Sequence, residues 1–253
     1  MRLSETPLGL KMRFRSTGRL VLMFAAVALG HRSLSFAQVP APGPPVIVEL
    51  FTSQGCSSCP PADALLGELA KQRNVIALGF HVDYWDGIGW RDRYSMPEAT
   101  ERQRGYVATL QLSSPFTPQV VIDGHHSFVG SDRQRIAAAI AAAPGKILID
   151  AVVASGELVI SLPASGDSHH YDVNLVAYFP QATTQVGRGE NSGRTLTEFN
   201  IVRQFRRVGA WDGKISTFRV PLESFPSDAN RVAVLVQQAS QGVIAGAVVA
   251  SLR

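Results

Sequence analysis

The chain's two cysteines stand three positions apart and two prolines follow at once, in the run Gly55-Cys56-Ser-Ser-Cys59-Pro60-Pro61-Ala-Asp63. Consecutive prolines are tolerated in the first turn of a helix, where backbone N–H groups lack intrahelical partners, and break a helix further in. Residues 60–73 carry Leu65, Leu66, Leu69 and Ala70 on one side, so a helix begins at the prolines and both cysteines sit at its start. Upstream, Val46–Thr52 reads as a buried strand. The unit is strand, loop, C-x-x-C, helix. At such a helix N-terminus the partial positive charge favours a thiolate by roughly 0.3–2 kcal/mol.

Three uses of the pair follow: a redox couple, a structural disulfide or a set of metal ligands. A four-residue loop restrains the unfolded chain little, by about 2 kcal/mol against about 4.7 for a hundred-residue loop. That favours redox chemistry over a staple. Two cysteines alone exclude a four-thiolate zinc site and a disulfide-framed mini-fold.

With 253 residues, 45% apolar and 17% charged, the chain has material for one large domain or two smaller ones, each with a core. Over residues 46–145, short apolar runs alternate with helical stretches: strands at 75–82 and 119–123, helices at 97–110 and 132–142. That alternation predicts an α/β domain. After Pro144-Gly145 the texture changes. In residues 171–179, Tyr171, Val173, Leu175, Ala177 and Phe179 alternate with Asp172, Asn174, Val176 and Tyr178 as in a half-buried strand. Ser155-Gly156 and Asp212-Gly213 read as hairpin turns, and 196–208, 214–220, 231–239 and 243–252 as further strands. Residues 146–253 are therefore expected to form a β-rich, β-sandwich-like domain.

At the N-terminus, Lys11, Arg13, Arg15 and Arg19 precede a mostly apolar run over residues 20–30, and Ser35-Phe36-Ala37 follows. This is the pattern of a secretory signal over residues 1–37, with residues 38–45 as a lead-in. The run is shorter than the roughly 20 residues a bilayer span needs. Cleavage after Ala37 removes six of the 24 basic residues (Arg2, Lys11, Arg13, Arg15, Arg19, Arg32) and one of the 20 acids, Glu5, leaving 18 against 19. The expected mature protein is periplasmic or secreted, off the membrane, and has no surplus cations for a nucleic-acid partner.

The strand–C-x-x-C–helix unit, with Phe116-Thr117-Pro118-Gln119 before the strand at 119–123, resembles the thioredoxin superfamily. The resemblance implies a cis Thr117–Pro118 bond beside the cysteines, where Thr117 and Pro118 would align an extended substrate. It also implies a buried acid beneath the cysteines. Glu49 occupies that position with a loop one residue longer than usual, and pairing with an arginine is its other reading. More narrowly, residues 49–63, 81–90 (His-Val-Asp-Tyr-Trp-Asp-Gly-Ile-Gly-Trp) and 189–196 (Gly-Glu-Asn-Ser-Gly-Arg-Thr-Leu) resemble a family of secreted bacterial proteins, domain of unknown function 1223. The fold these likenesses imply is an α/β thioredoxin-like domain over 46–145 followed by a β-rich domain over 146–253.

Other residues offer less. His81 and Asp83 end the second strand, where ligands gather in α/β sheets. With Cys56 and Cys59, His81 would complete a soft-metal site for copper or zinc. Tyr84, Trp85 and Trp90 either wall a substrate groove or cap the core. Residues 83–114 form extra material beside the site. The loop at 187–193 lacks a phosphate-binding signature and is explained by turn chemistry. Arg203, Arg206 and Arg207 read as a solvated strand face, and the adjacent pairs His125-His126 and His169-His170 are poor metal sites. The leading expectation is an exported thiol–disulfide oxidoreductase without cofactor, acting on protein thiols or disulfides and served by an unidentified redox partner. Its site is Cys56, Cys59 and Glu49, with Thr117, Pro118, Tyr84 and Trp85 binding substrate. A copper- or zinc-delivery protein and a non-catalytic interaction module are the rivals. The catalytic reading expects an accessible Cys56.

Overall fold

A computed structural model describes residues 43–166 and 169–253. The expected signal, its cleavage point after Ala37 and the lead-in as far as residue 42 lie outside the described residues. Strands β1 (Val46–Thr52) and β2 (Val75–His81) run parallel, from Val46↔Val75 to Thr52↔His81, with α1 (Pro60–Leu69) crossing between them. Every residue of both strands is buried, because both faces of this part of the sheet are covered. The two-residue period sorts the strands into faces. Val48 and Leu50 pack with Ala77 and with Leu65, Leu66 and Leu69 of α1. Ile47 and Phe51 pack with Leu78, Phe80 and the Ala99 and Tyr106 side chains of α2 (Pro97–Thr109).

Antiparallel to β1 lies β3 (Gln119–Ile122), which turns through Asp123-Gly124 into β4 (His126–Val129). Asp123 and Gly124 both have positive φ, 50° and 69°, and His125 N–H closes the turn on the Ile122 carbonyl at 2.9 Å. A Cβ on Gly124 would lie 2.4 Å from the Gly242 carbonyl oxygen. Gly124→Ala therefore meets both strain and a backbone clash. It should lower stability by about 1–3 kcal/mol in urea unfolding, whereas an unchanged midpoint would contradict this turn geometry. Helix α3 (Arg133–Ala141) follows, capped by the Asp132 side chain accepting from Arg135 N–H.

The remaining strands are β5 (Asp150–Ala154), β6 (Glu157–Leu162), β7 (Tyr171–Gln185), β8 (Thr195–Trp211), β9 (Ser216–Pro221), β10 (Arg231–Gln238) and β11 (Ile244–Ser251). The expected architecture, an α/β thioredoxin-like domain followed by a separate β-sandwich-like domain, is overturned here. One mixed eight-stranded sheet runs through both halves in the order β11-β10-β7-β8-β2-β1-β3-β4, and the described residues hold three α-helices against eleven strands. The seam is β2–β8, paired at Gly79↔Ile201. There the backbones approach so closely that a Cβ on Gly79 would stand 3.0 Å from the Phe199 carbonyl oxygen. A glycine inside a strand allows that approach.

The sheet curls until Ile244 N–H bonds the Asp123 carbonyl, so residues of β1, β2, β10 and β11 share one core around Tyr106. A second sheet, β5-β6-β9, closes a separate core over β7 and β10. Ser155-Gly156 forms the expected hairpin between β5 and β6. Asp212-Gly213 does not form one: β8 pairs with β7 and β9 with β6, so this turn carries the chain from one sheet to the other. No helix among the described residues is long and apolar enough to cross a membrane.

Candidate functional site

Cys56 and Cys59 form a disulfide, with Cα atoms 5.4 Å apart. Cys59 is the N-cap of α1, and Pro60 and Pro61 take the first helical positions. Both cysteines are 0% exposed, in contrast to the accessible Cys56 that the sequence led us to expect. Only Ser57 and Ser58 between them face solvent.

Two segments close around the pair. From the β7–β8 loop, Asn191 Nδ2 donates to the carbonyl oxygens of Gln54 and Cys56, at 2.9 Å each, and Glu190 Oε2 accepts from Ser57 N–H at 3.1 Å. The Ser57 side chain, and then its backbone N–H, hold the Glu190 carboxyl below the usual carboxylate range. From the β2–α2 connection, Trp85 packs on Gly55, whose Cβ position is 3.2 Å from the Trp85 Cβ. Gly89 and Gly189, both at positive φ, bring these two segments together. The three stretches that carry the family resemblance thus meet at Cys56, although they lie up to about 140 residues apart in sequence.

Thr117–Pro118 is a cis peptide. Trp85 Nε1 donates to Thr117 Oγ1 at 2.9 Å, and the Tyr84 side chain lies near Thr117 and Gln103. Pro118 approaches α1 across Gly130: the Gly130 Cβ position is 2.9 Å from both Pro118 Cβ and Ala62 Cβ. Tyr84, Trp85, Thr117 and Pro118 therefore do assemble beside the cysteine loop. Tyr84 and Ile88, 36% and 56% exposed, form an apolar rim there.

Glu49 lies elsewhere. It shares the face of Ile47 and Phe51, away from α1, and pairs with Arg102. The Arg102 Nε donates to Glu49 Oε1 at 2.6 Å and Tyr106 OH donates to Oε2. The arginine-paired reading is the one the structure adopts, and the two-residue period of β1 was the signal for it.

The acids on the cysteine side are others. Asp63, one helical turn beyond Cys59, accepts from Thr52 Oγ1 at 2.8 Å. Burial pushes its carboxyl up to about 7, against the pull of His81 and the Thr52 hydrogen bond. His81 stands beside Thr52 across the strand pair. Its Nδ1 is 2.7 Å from Asp92 Oδ2 and 4.0 Å from Glu198 Oε1. Burial works to lower the His81 pKa, but the Asp92 charge and hydrogen bond, then Glu198 and Asp63, outweigh it and raise it to about 9. Glu198 is pushed up by burial, whereas Asp92 is held below its ordinary value, since His81 and two backbone N–H groups overcome its desolvation. Gln54 ties the cluster together: its N–H donates to Asp92, its Nε2 to Glu198 and Thr184, and its Oε1 accepts from Trp90 Nε1.

Asp63, Asp92 and Glu198 had escaped the sequence reading. For Asp63 the available signal was its i,i+4 spacing from Cys59. Asp92 and Glu198 carry no local signal, since their neighbours arrive from remote segments. The donors of His81, Asp92 and Glu198 converge within 4.8 Å, and the disulfide-bonded cysteines are not part of that group.

No curated protein matches the sequence. The crystal structure of protein AGR_C_4864 from Agrobacterium tumefaciens is similar, with TM-score 0.68 and 31% identity over 81% of this chain and 92% of that one. HBP35 of Porphyromonas gingivalis is similar in fold alone, with TM-score 0.55 and 14% identity over 83% of this chain and 76% of that one. Residues 47–237 match the family described as "Protein of unknown function (DUF1223)", a span that includes all three stretches meeting at Cys56. The chain belongs to the DUF1223 family.

Proposed function

We propose that this chain is an exported thiol–disulfide oxidoreductase working through Cys56 and Cys59 on protein disulfides or dithiols. The observation that carries the reading is the position of the disulfide. It closes a four-residue loop, worth about 2 kcal/mol to the fold, yet it lies at the helix N-terminus that favours a thiolate. In the reduced protein the Cys56 thiolate attacks one sulfur of a substrate disulfide, and the substrate's other sulfur leaves as a thiolate and takes a proton. The Cys59 thiolate then attacks the Cys56 sulfur, releasing the second substrate thiol and restoring the Cys56–Cys59 disulfide. Two electrons pass to the substrate, and the reverse sequence oxidises a dithiol. Asp63, poised near neutrality one turn below Cys59, supplies a carboxylate for the Cys59 proton. Tyr84, Trp85, Thr117 and Pro118 line the approach.

Both sulfurs are covered in the disulfide state, so exchange requires the 187–194 loop and Trp85 to draw back. The same burial favours a second reading, an inert disulfide in an interaction module. Redox-buffer titration of the folded protein, read by thiol alkylation, separates the two. Exchange predicts a reversible two-electron transition, lost in Cys56→Ser and Cys59→Ser, with Cys59→Ser accumulating a mixed disulfide at Cys56. A pair that stays oxidised in reduced dithiothreitol until the protein unfolds would establish the inert disulfide.

A further inference from the structure

Among the described residues, the interior carboxylates elsewhere are each matched by a basic side chain. Glu49 has Arg102 at 2.6 Å and Asp123 has Lys146 at 2.8 Å. Beneath α1 the matching fails. Asp63, Asp92 and Glu198 share a single imidazole, and none of the three forms an ion pair with a lysine or arginine among the described residues. Were all three ionised, three carboxylates against one histidinium would leave two negative charges among side chains that are 7% exposed or less. An interior does not hold such charge without protons or a cation.

The geometry points to a cation. His81, Asp92 and Glu198 are 1%, 2% and 2% exposed. Ligand atoms about 2.1 Å from a common ion stand roughly 3.0–3.5 Å from one another. The observed separations from His81 Nδ1, 2.7 Å to Asp92 and 4.0 Å to Glu198, lie either side of that span. Sub-ångström movements convert one arrangement into the other. Glu198 Oε2 takes the hydrogen bonds from Gln54 and Thr184, while Oε1 faces the imidazole and accepts none among the described residues. Neutral donors position the remaining oxygens: Gln54 N–H on Asp92 Oδ2 and Tyr94 N–H on Asp92 Oδ1. Such outer contacts orient metal ligands without competing in charge.

We propose that His81, Asp92 and Glu198 form a binding site for a divalent first-row transition ion of the Zn²⁺ or Mn²⁺ type. One imidazole nitrogen and two carboxylate oxygens suit ions of that class better than a soft copper(I). The site uses neither cysteine and stands or falls apart from the exchange reading. Asp63, beside this cluster, lines a groove between α1 and β8 together with Pro60, Thr197 and Phe199.

The test uses the full chain in its disulfide form, stripped of metal, so that no thiolate can bind. Equilibrium dialysis against ZnCl₂ with elemental analysis should find one ion per chain, together with a higher thermal midpoint. Glu198→Gln and Asp92→Asn, which preserve shape, should each weaken retention at least tenfold. Should one variant fail to fold, the other carries the comparison. Absence of a stoichiometric ion in the parent protein overturns the proposal. So does an ion retained at full strength in both variants or lost on replacing His125 and His126 with alanine, since either result would place it elsewhere.

Discussion

Arg102→Met should cost the fold about 3–5 kcal/mol, the largest single-residue effect expected in the molecule. Arg102 is buried, donates through Nε and Nη2 to both oxygens of Glu49, and reaches Tyr106 OH and Gln237 Oε1. Its guanidinium also lies 4.3 Å from the centre of the Phe205 ring. Methionine fills much of the volume but leaves the Glu49 carboxylate in the core without its cation. The penalty comes from that stranded charge, so Arg102→Met/Glu49→Gln should recover more than half of the loss. Thermal unfolding provides the measurement, with a fall of about 6 °C or more for the single variant. A single variant within 1 kcal/mol of the parent would show that the pair is not desolvated.

The second large effect concerns access to the disulfide. Asn191 is fully buried and spans two backbone carbonyls at 2.9 Å, one of them belonging to Cys56. Asn191→Ala removes both hydrogen bonds, and with about 1 kcal/mol for each the closed arrangement loses about 2 kcal/mol. If opening of this loop limits attack on the disulfide, reduction by a small dithiol should accelerate about 30-fold. Ser192→Ala is the control, because its hydroxyl donates only to the Gly187 carbonyl at the surface. Equal rates in Asn191→Ala and the parent protein would mean that another element holds the pair shut.

Local chemistry was legible in the sequence where neighbours along the chain determine it. Pro60-Pro61 fixed the start of α1, and the apolar periods located β1, β2, α2, β3 and α3 to within a few residues. What failed was the relation between remote pieces. Nothing in residues 75–82 states that a strand some 120 positions later pairs with their open edge, and the one clue was Gly79 in an otherwise apolar run. Of the two readings open for Glu49, strand parity decides for the Arg102 pair, because it sets which face of β1 the side chain takes. The polar cluster stayed hidden for the same reason as the sheet. His81, Asp92 and Glu198 come from three segments, and Gln54, which joins two of them, looks like an ordinary loop residue.

The seam between β2 and β8 also bears on how the protein is made. A ribosome that has released residues up to 145 has delivered β1, β2 and β3, but the flank of β2 waits for β8 until residue 211 is through. During that interval an adhesive, hydrogen-bonding border is open to any other chain. Synthesis and final closure are thereby coupled in time. A helper that shields nascent chains would protect this protein most over the stretch between those two moments.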